Sequence, residues 1–292
     1  MREVVLIAGP TAVGKTKYAI EYALENNGEI VSCDSMQIYK YMAIGTAKPT
    51  KEELSMVRHH LVDIIDPRDD FSVAQYSELA QKAINDIFSR GKVPIVSGGT
   101  GLYFNSIVYE MDFGNDTRDM EFRKSLEEIA NEMGNKYLHD MLREKDPESA
   151  NRIEPNNLRR VIRALESVMI ADKKLKPFEE VKKKNVNYNT KLIGLCRDRA
   201  NLYSRIEKRV DIMVEEGLIQ EVSSLLENGF TSEHISMKGI GYKEVIAYLN
   251  GEYNKDRAIE LIKRNTRRYA KRQLTWFKRY DEMEWINLDE RS

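Results

Sequence analysis

The chain has 292 residues, with 46 Lys and Arg against 47 Asp and Glu, a formal net charge of -1. That balance speaks against non-specific coating of nucleic acid, and two distant cysteines, Cys33 and Cys196, speak against a disulfide scaffold or a structural zinc site. No apolar run approaches the ~20 residues of a membrane helix, and MREVVLIAGP leads too soon into a motif to be a signal peptide, so a cytoplasmic location is expected.

The first predicted strand is VVLIA, residues 4–8, and GPTAVGKT follows it directly at residues 9–16. A helical pattern then runs from Lys15 to Glu25. Strand, G-x-x-x-x-G-K-[ST] and helix in that order make a phosphate-binding loop. Gly9, Thr11, Ala12, Val13 and Gly14 supply backbone N–H groups around the turn that Pro10 stiffens, Lys15 supplies a cation, and the Thr16 hydroxyl can ligate Mg²⁺. The loop does not say whose phosphate it holds.

The second strand, residues 29–33, ends at Asp34. A turn-forming Asp-Ser pair is one reading; a carboxylate facing the phosphate loop, as general base or through water on Mg²⁺, is the other. His59 and His60 are adjacent, a poor arrangement for one metal, and read as surface or packing residues. LVDIID offers Asp63 and Asp66 before Pro67, in loop-like context. A helix from Val73 to Arg90 precedes the strand at residues 93–97, which ends in SGGTGLY with no acid. A nucleotide hydrolase would want an acid there, so that reading weakens. SGGTGLY is either a tight strand-to-helix turn or a close approach to substrate, with Thr100 able to hydrogen-bond it.

From about Asn115 to Asn187 the pattern is helical and polar, with KKKNVNYN as a linker back to the sheet. Residues 114–187 therefore read as a helical insertion, and residues 1–113 with 188–292 as a discontinuous α/β core. The remaining strands are KLIGLC (191–196) and EWINL (284–288), with helices at Leu202–Glu215, Gln220–Asn228 and Arg257–Arg279. Strands alternating with helices predict a parallel sheet covered on both faces. Two stretches are basic. Asn157 to Lys184 carries nine basic and four acidic residues, and Lys263 to Arg279 carries eight basic and no acidic ones among Tyr269, Trp276 and Phe277. They read either as solvated helix faces or as surfaces for a polyanion such as RNA.

GPTAVGKT, DSMQIY with IGTAKPT, HHLVDIIDP with FSVAQY, RGKVPIVSGGTGLYF, NNLRRVIRALE, IGLCRDRANLYSRIEKRVDIM, IGYKE and AKRQLTWFKR together resemble the tRNA dimethylallyltransferases, in the same order and over nearly the whole chain. The resemblance, to the bacterial type, implies a P-loop NTPase-like core with a helical tRNA-binding insertion. It implies transfer of a dimethylallyl group from dimethylallyl diphosphate to the exocyclic N6 amine of the adenine 3′ to the anticodon, with release of pyrophosphate. By the same resemblance Asp34 is the general base, Lys15, Thr16, Mg²⁺ and Arg199 stabilise the leaving pyrophosphate, and Asp34, Ser35, Met36, Gln37, Thr100, Arg123, Arg159, Arg160 and Arg163 contact the anticodon stem-loop. Ala43, where the family often has Asp, and Arg58, where it often has Pro, depart from its pattern. A monomer is expected. A small-molecule P-loop kinase and a prenyltransferase of free adenine nucleotides remain the alternatives.

Overall fold

The computed structural model describes residues 2–111, 119–170 and 183–290. The expected boundary at residues 113 and 114 lies outside them, as do residues 171–182 of the first basic stretch and of the linker. The chain divides into two compact units, Met1–Tyr109 with Lys184–Ser292, and Glu110–Lys183. In the first, an antiparallel bridge joins Tyr109 to Lys184, so the two ends of the intervening segment start side by side.

Six strands are described: β1 (Glu3–Ala8), β2 (Gly28–Cys33), β3 (His59–His60), β4 (Val93–Gly98), β5 (Asn189–Cys196) and β6 (Glu284–Asn287). They form one parallel sheet in the order β3-β2-β4-β1-β5-β6. Val4 to Ala8 of β1 and Leu192 to Leu195 of β5 are continuously buried, as a sheet covered on both faces requires. The register levels the carboxyl ends. Ala8 lies opposite both Gly98 and Gly194, and Cys33 lies opposite Gly98. Gly9, Asp34 and the Gly99-Thr100 turn therefore leave the sheet along one line, where ligands bind in open α/β sheets.

In chain order the helices are α1 (Lys15–Glu25), α2 (Lys51–Met56), α3 (Val73–Ser89), α4 (Gly101–Val108), α5 (Met120–Met133), α6 (Asn135–Lys145), α7 (Pro147–Arg152), α8 (Leu158–Met169), α9 (Arg199–Glu215), α10 (Leu218–Glu227), α11 (Tyr242–Leu249) and α12 (Lys255–Phe277). α3 begins with a capping box, in which the Ser72 hydroxyl accepts from Gln75 N and the Gln75 side chain accepts from Ser72 N. One core cluster packs α1 and α9 against the sheet through Val5, Ile7, Ile20, Ile193, Leu202 and Ile206. Each such side chain contributes about 1.5–3 kcal/mol on full burial. A second packs Ile38, Tyr39 and Met42 with α10, α11 and α12, which fixes the start of the loop after Asp34.

The unit Glu110–Lys183 holds α5 to α8 around Leu126, Leu138, Leu142, Val161 and Leu165. Asp119 caps α5 through Phe122 N, and Asp146 caps α7 through Ser149 N with Pro147 in the first turn. The His pair takes a packing role at the sheet edge. His60 Nε2 lies 2.8 Å from the buried carboxylate of Glu29, which also pairs with Arg90 and Lys92.

Candidate active site

The phosphate loop turns between β1 and α1. Gly14 takes φ 113°, a left-handed conformation that glycine adopts without strain. No side chain caps α1, so the N–H groups of its first turn face outward unsatisfied, which makes them an anion site. The loop is held from behind. Arg205 Nε donates to Ala12 O and Arg197 Nε to Val13 O, each at 2.9 Å. Arg197 is itself anchored by Asp289, whose second oxygen accepts from Asp198 N at 2.7 Å.

Lys15 Nζ donates to Pro10 O at 2.9 Å. Burial pushes its ammonium down to about 8; Asp34 opposes that shift and Arg209 reinforces it. These three groups therefore share one field, with Arg209 Nη1 3.4 Å from the Thr11 hydroxyl. Burial lowers the Arg209 guanidinium too, again against the pull of Asp34.

Asp34 forms the turn that one sequence reading gave it. Its Oδ1 accepts from Met36 N at 2.9 Å and Gln37 N at 3.4 Å, an Asx turn that fixes the carboxylate beside the loop. The neighbouring Ser35 N donates to the Thr100 hydroxyl oxygen at 2.9 Å, and Thr100 N donates to Cys33 O at 3.1 Å. Gln37 Nε2 reaches Ala47 O at 3.0 Å and closes the following loop on itself. That loop is clamped further along. Glu221 of α10 accepts from Ala43 N, Ile44 N and Gly45 N at 2.8, 2.8 and 3.1 Å, and from the Tyr242 hydroxyl at 2.6 Å. Only the backbone of Ala43 is engaged there, and Arg58 meets β2 through its carbonyl, so the two departures from the family pattern fall on exposed side chains.

Arg199 stands elsewhere. It is exposed in the first turn of α9, with its guanidinium 5.2 Å from the Tyr203 ring. Arg205 and Arg209 are spaced i, i+4 and share one helix face, whereas six residues separate Arg199 from Arg205, which at about 3.6 residues per turn puts it on another. The fold brings Arg197, Arg205 and Arg209 to the loop in its place, and sequence reading missed all three. The signal was present in the repeated arginines of RDRANLYSRIEKR; the helix phase that selects among them was not used.

α12 closes the site from a face that sequence reading also missed. Gln273, buried, accepts from Thr11 N and donates to Gly99 O, both at 2.9 Å. Tyr269 reaches the Thr100 side chain, and Trp276 lies against Gly101. The basic residues of this helix and of the turn after it divide accordingly. Lys263 and Arg267 pair with Asp211 and Glu207 of α9 at 2.6 Å, while Arg272 and Arg279 stack over Tyr269 and Trp276.

Within the helical unit, Arg123 and Arg163 both bond the buried carboxylate of Glu166, Arg123 through two contacts at 2.8 and 2.7 Å. Arg159 and Arg160 are exposed on α8.

The IPP transferase family model matches residues 37–280. A tRNA dimethylallyltransferase of Acetivibrio thermocellus is 53% identical over 291 residues, covering 99% of this chain and 93% of the relative. One from Clostridioides difficile is 50% identical over 98% of this chain and 92% of its own. Among solved structures, a tRNA isopentenylpyrophosphate transferase from Bacillus halodurans aligns with TM-score 0.73 at 44% identity, over 100% of this chain and 93% of that one. A eukaryotic dimethylallyltransferase acting on tRNA aligns with TM-score 0.82 at 30% identity, over 98% and 74%. With a family model over most of its length and close relatives over nearly all of it, the chain belongs to the IPP transferase family.

Proposed function

We propose that the protein transfers a dimethylallyl group from dimethylallyl diphosphate to the N6 amine of the tRNA adenine 3′ to the anticodon, releasing pyrophosphate. One observation carries the reading: the charge of Asp34 acts on both Lys15 and Arg209, the latter 3.4 Å from the loop's Thr11 hydroxyl, so a base and a diphosphate cradle share one field.

The adenine amine is a weak nucleophile because its lone pair is delocalised into the ring. As it attacks C1 of the dimethylallyl group, the C1–O bond to pyrophosphate breaks and the amine proton passes to Asp34. General bases of this kind contribute about 10²–10⁴-fold. Charge accumulating on pyrophosphate is met by the α1 N–H groups, Lys15 and Arg209. Arg205 and Arg197 act one step removed, by keeping the loop's carbonyls turned to them. Arg199 has no part in this step.

Mg²⁺ fits the residues. Among the described residues no group of three or more His, Cys, Asp or Glu could hold an ion, and Thr16 is the one loop hydroxyl placed in the first turn of α1. A cation that keeps its waters and takes substrate phosphate oxygens suits so sparse a donor set. Thr16 would hold it, and it would supply neutralising charge on the leaving group.

The target base leaves its stack at a cost of a few kcal/mol, about the least in a loop. Ser35, Met36, Gln37 and Thr100 frame the base beside Asp34, and Arg159 and Arg160 meet the phosphates of the anticodon stem-loop. Arg123, from α5, positions α8 through Glu166, and Arg163 of α8 shares that carboxylate. The protein works as a monomer in this reading. Among the described residues no helix is long and apolar enough to cross a membrane, and we place the protein in the cytoplasm with its tRNA.

The test is incubation with Mg²⁺, dimethylallyl diphosphate and unmodified tRNA, followed by nucleoside mass spectrometry and a pyrophosphate assay. Stoichiometric prenyl-adenosine and pyrophosphate are expected. Phosphorylation of a metabolite from ATP without prenyl transfer, or a preference for AMP over an anticodon stem-loop, would overturn the reading.

A further inference from the structure

The described contacts leave one buried side chain joining the two halves of the site. The Gln273 amide is 5% exposed, deep in α12, and its two ends do different things. Its oxygen takes the N–H of Thr11, inside the phosphate loop, and its nitrogen gives to the carbonyl of Gly99, in the turn after β4. The fit is close: a side chain on Gly99 would collide with the Gln273 amide nitrogen. From Gly99 the path continues through covalent bonds to Thr100, whose hydroxyl takes Ser35 N, and Ser35 adjoins the base Asp34. No carboxylate or cation could play both parts, since one end must accept and the other donate.

We propose that Gln273 is a positioning residue that couples the phosphate loop to the base, so that the geometry of the diphosphate cradle sets the aim of Asp34. It touches neither substrate nor a reacting atom. The proposal rests on the prenyl-transfer reading for its catalytic half alone; its loop half concerns pyrophosphate binding and stands without it.

Gln273→Met keeps the length and apolar volume of the side chain and removes both hydrogen bonds. Inorganic pyrophosphate affinity, read by calorimetry, is expected to weaken roughly tenfold, and kcat at saturating donor to fall roughly 10–100-fold, as small misplacements of reacting groups do. The melting temperature is expected to stay within a few degrees of wild type, which a packing role would predict together with unchanged affinity and kcat. A cycle with Thr100→Val separates coupling from coincidence. If both residues act on Asp34 along one path, their effects on kcat are less than additive. Gln273→Asn, which keeps an amide too short for both partners, is expected to follow Gln273→Met and serves if the latter folds poorly.

Wild-type affinity and kcat in Gln273→Met or Gln273→Asn would overturn the proposal, as would additive effects in the cycle. The two readings fail differently. If wild-type protein transferred no prenyl group but Gln273→Met still lost pyrophosphate affinity, the functional reading would fall and the loop half of the coupling would stand.

Discussion

Arg209 donates to the Thr11 hydroxyl at 3.4 Å, whereas Arg199, ten positions earlier on the same helix, lies over the ring of Tyr203. The two arginines differ in helix phase and lie about 15 Å apart along the axis, and the difference is measurable. Arg209→Ala is expected to raise the Michaelis constant for dimethylallyl diphosphate and lower kcat, with a loss of roughly 10²-fold in kcat/KM, comparable to the loss of one transition-state donor. Arg199→Ala is expected to stay within about twofold, as exposed substitutions away from a site do. Steady-state kinetics with the donor varied would read both, and equal effects would return Arg199 to the site.

Asp34 both caps a turn and faces the cradle, so the informative substitution separates the two. Asp34→Asn keeps an oxygen for Met36 N and Gln37 N but has no basicity. Turnover is expected to fall by about 10²–10⁴ with tRNA affinity unchanged. Asp34→Ala is expected to lose tRNA affinity as well. Filter binding beside single-turnover kinetics distinguishes them, and near-wild-type turnover in Asp34→Asn would remove the base assignment.

Lys15 gives the site a pH signature. Its ammonium, ordinarily near 10.5, is held at about 8 by burial in the free protein. Above about pH 8 the free lysine is largely neutral, and an arriving diphosphate restores the charge, so binding takes up a proton there. Pyrophosphate affinity is expected to fall as pH rises through 8 to 9.5, by up to about tenfold per unit for one linked proton. Below pH 7 the lysine is already charged and adds no dependence of its own. Calorimetry in buffers of different ionisation enthalpy counts the proton, and its absence in Lys15→Met assigns it.

Four arginines of the helical unit, Arg123, Arg159, Arg160 and Arg163, fall into two classes. Arg159→Ala with Arg160→Ala is expected to reduce tRNA affinity and flatten its salt dependence by up to about two phosphate contacts, with no change in melting. Arg123→Ala removes one of the two guanidinium partners of the buried Glu166 carboxylate and is expected to destabilise the unit by up to about 3 kcal/mol. Thermal unfolding and salt titration of tRNA binding read the classes separately.

Local features of this fold are legible in sequence. β1, β2, β4 and β5 are β-branched runs between breakers, α1 begins at its lysine, and the phosphate loop is a contiguous motif. What stays hidden depends on distance or phase. β3 is two histidines that form a strand only because the edge of β2 pairs with them. α4 starts on glycine with no polar cap and hides behind its own turn. Arg209 cannot be told from Arg199 until the apolar stripe of Leu202, Ile206 and Val210 fixes how α9 rolls against the sheet. Gln273 carries no motif chemistry at all; an amide becomes functional only when the fold sets a donor and an acceptor at its two ends. Likewise Arg123 reads as a free cation until Glu166 is found beneath it.

The order of synthesis acquires a meaning from these long-range braces. GPTAVGKT leaves the ribosome almost first, but its supports, Arg197, Arg205, Gln273 and Asp289, are spread through the last third of the chain. At roughly 5–20 residues per second, the nascent loop waits on the order of tens of seconds before its cradle can form. Ribosome-held chains that end before Gln273 should pass through a pyrophosphate-bearing resin, and chains with Asp289 exposed beyond the exit tunnel should be retained. A protein built this way cannot bind its donor while half made, so premature termination yields fragments that do not compete for it.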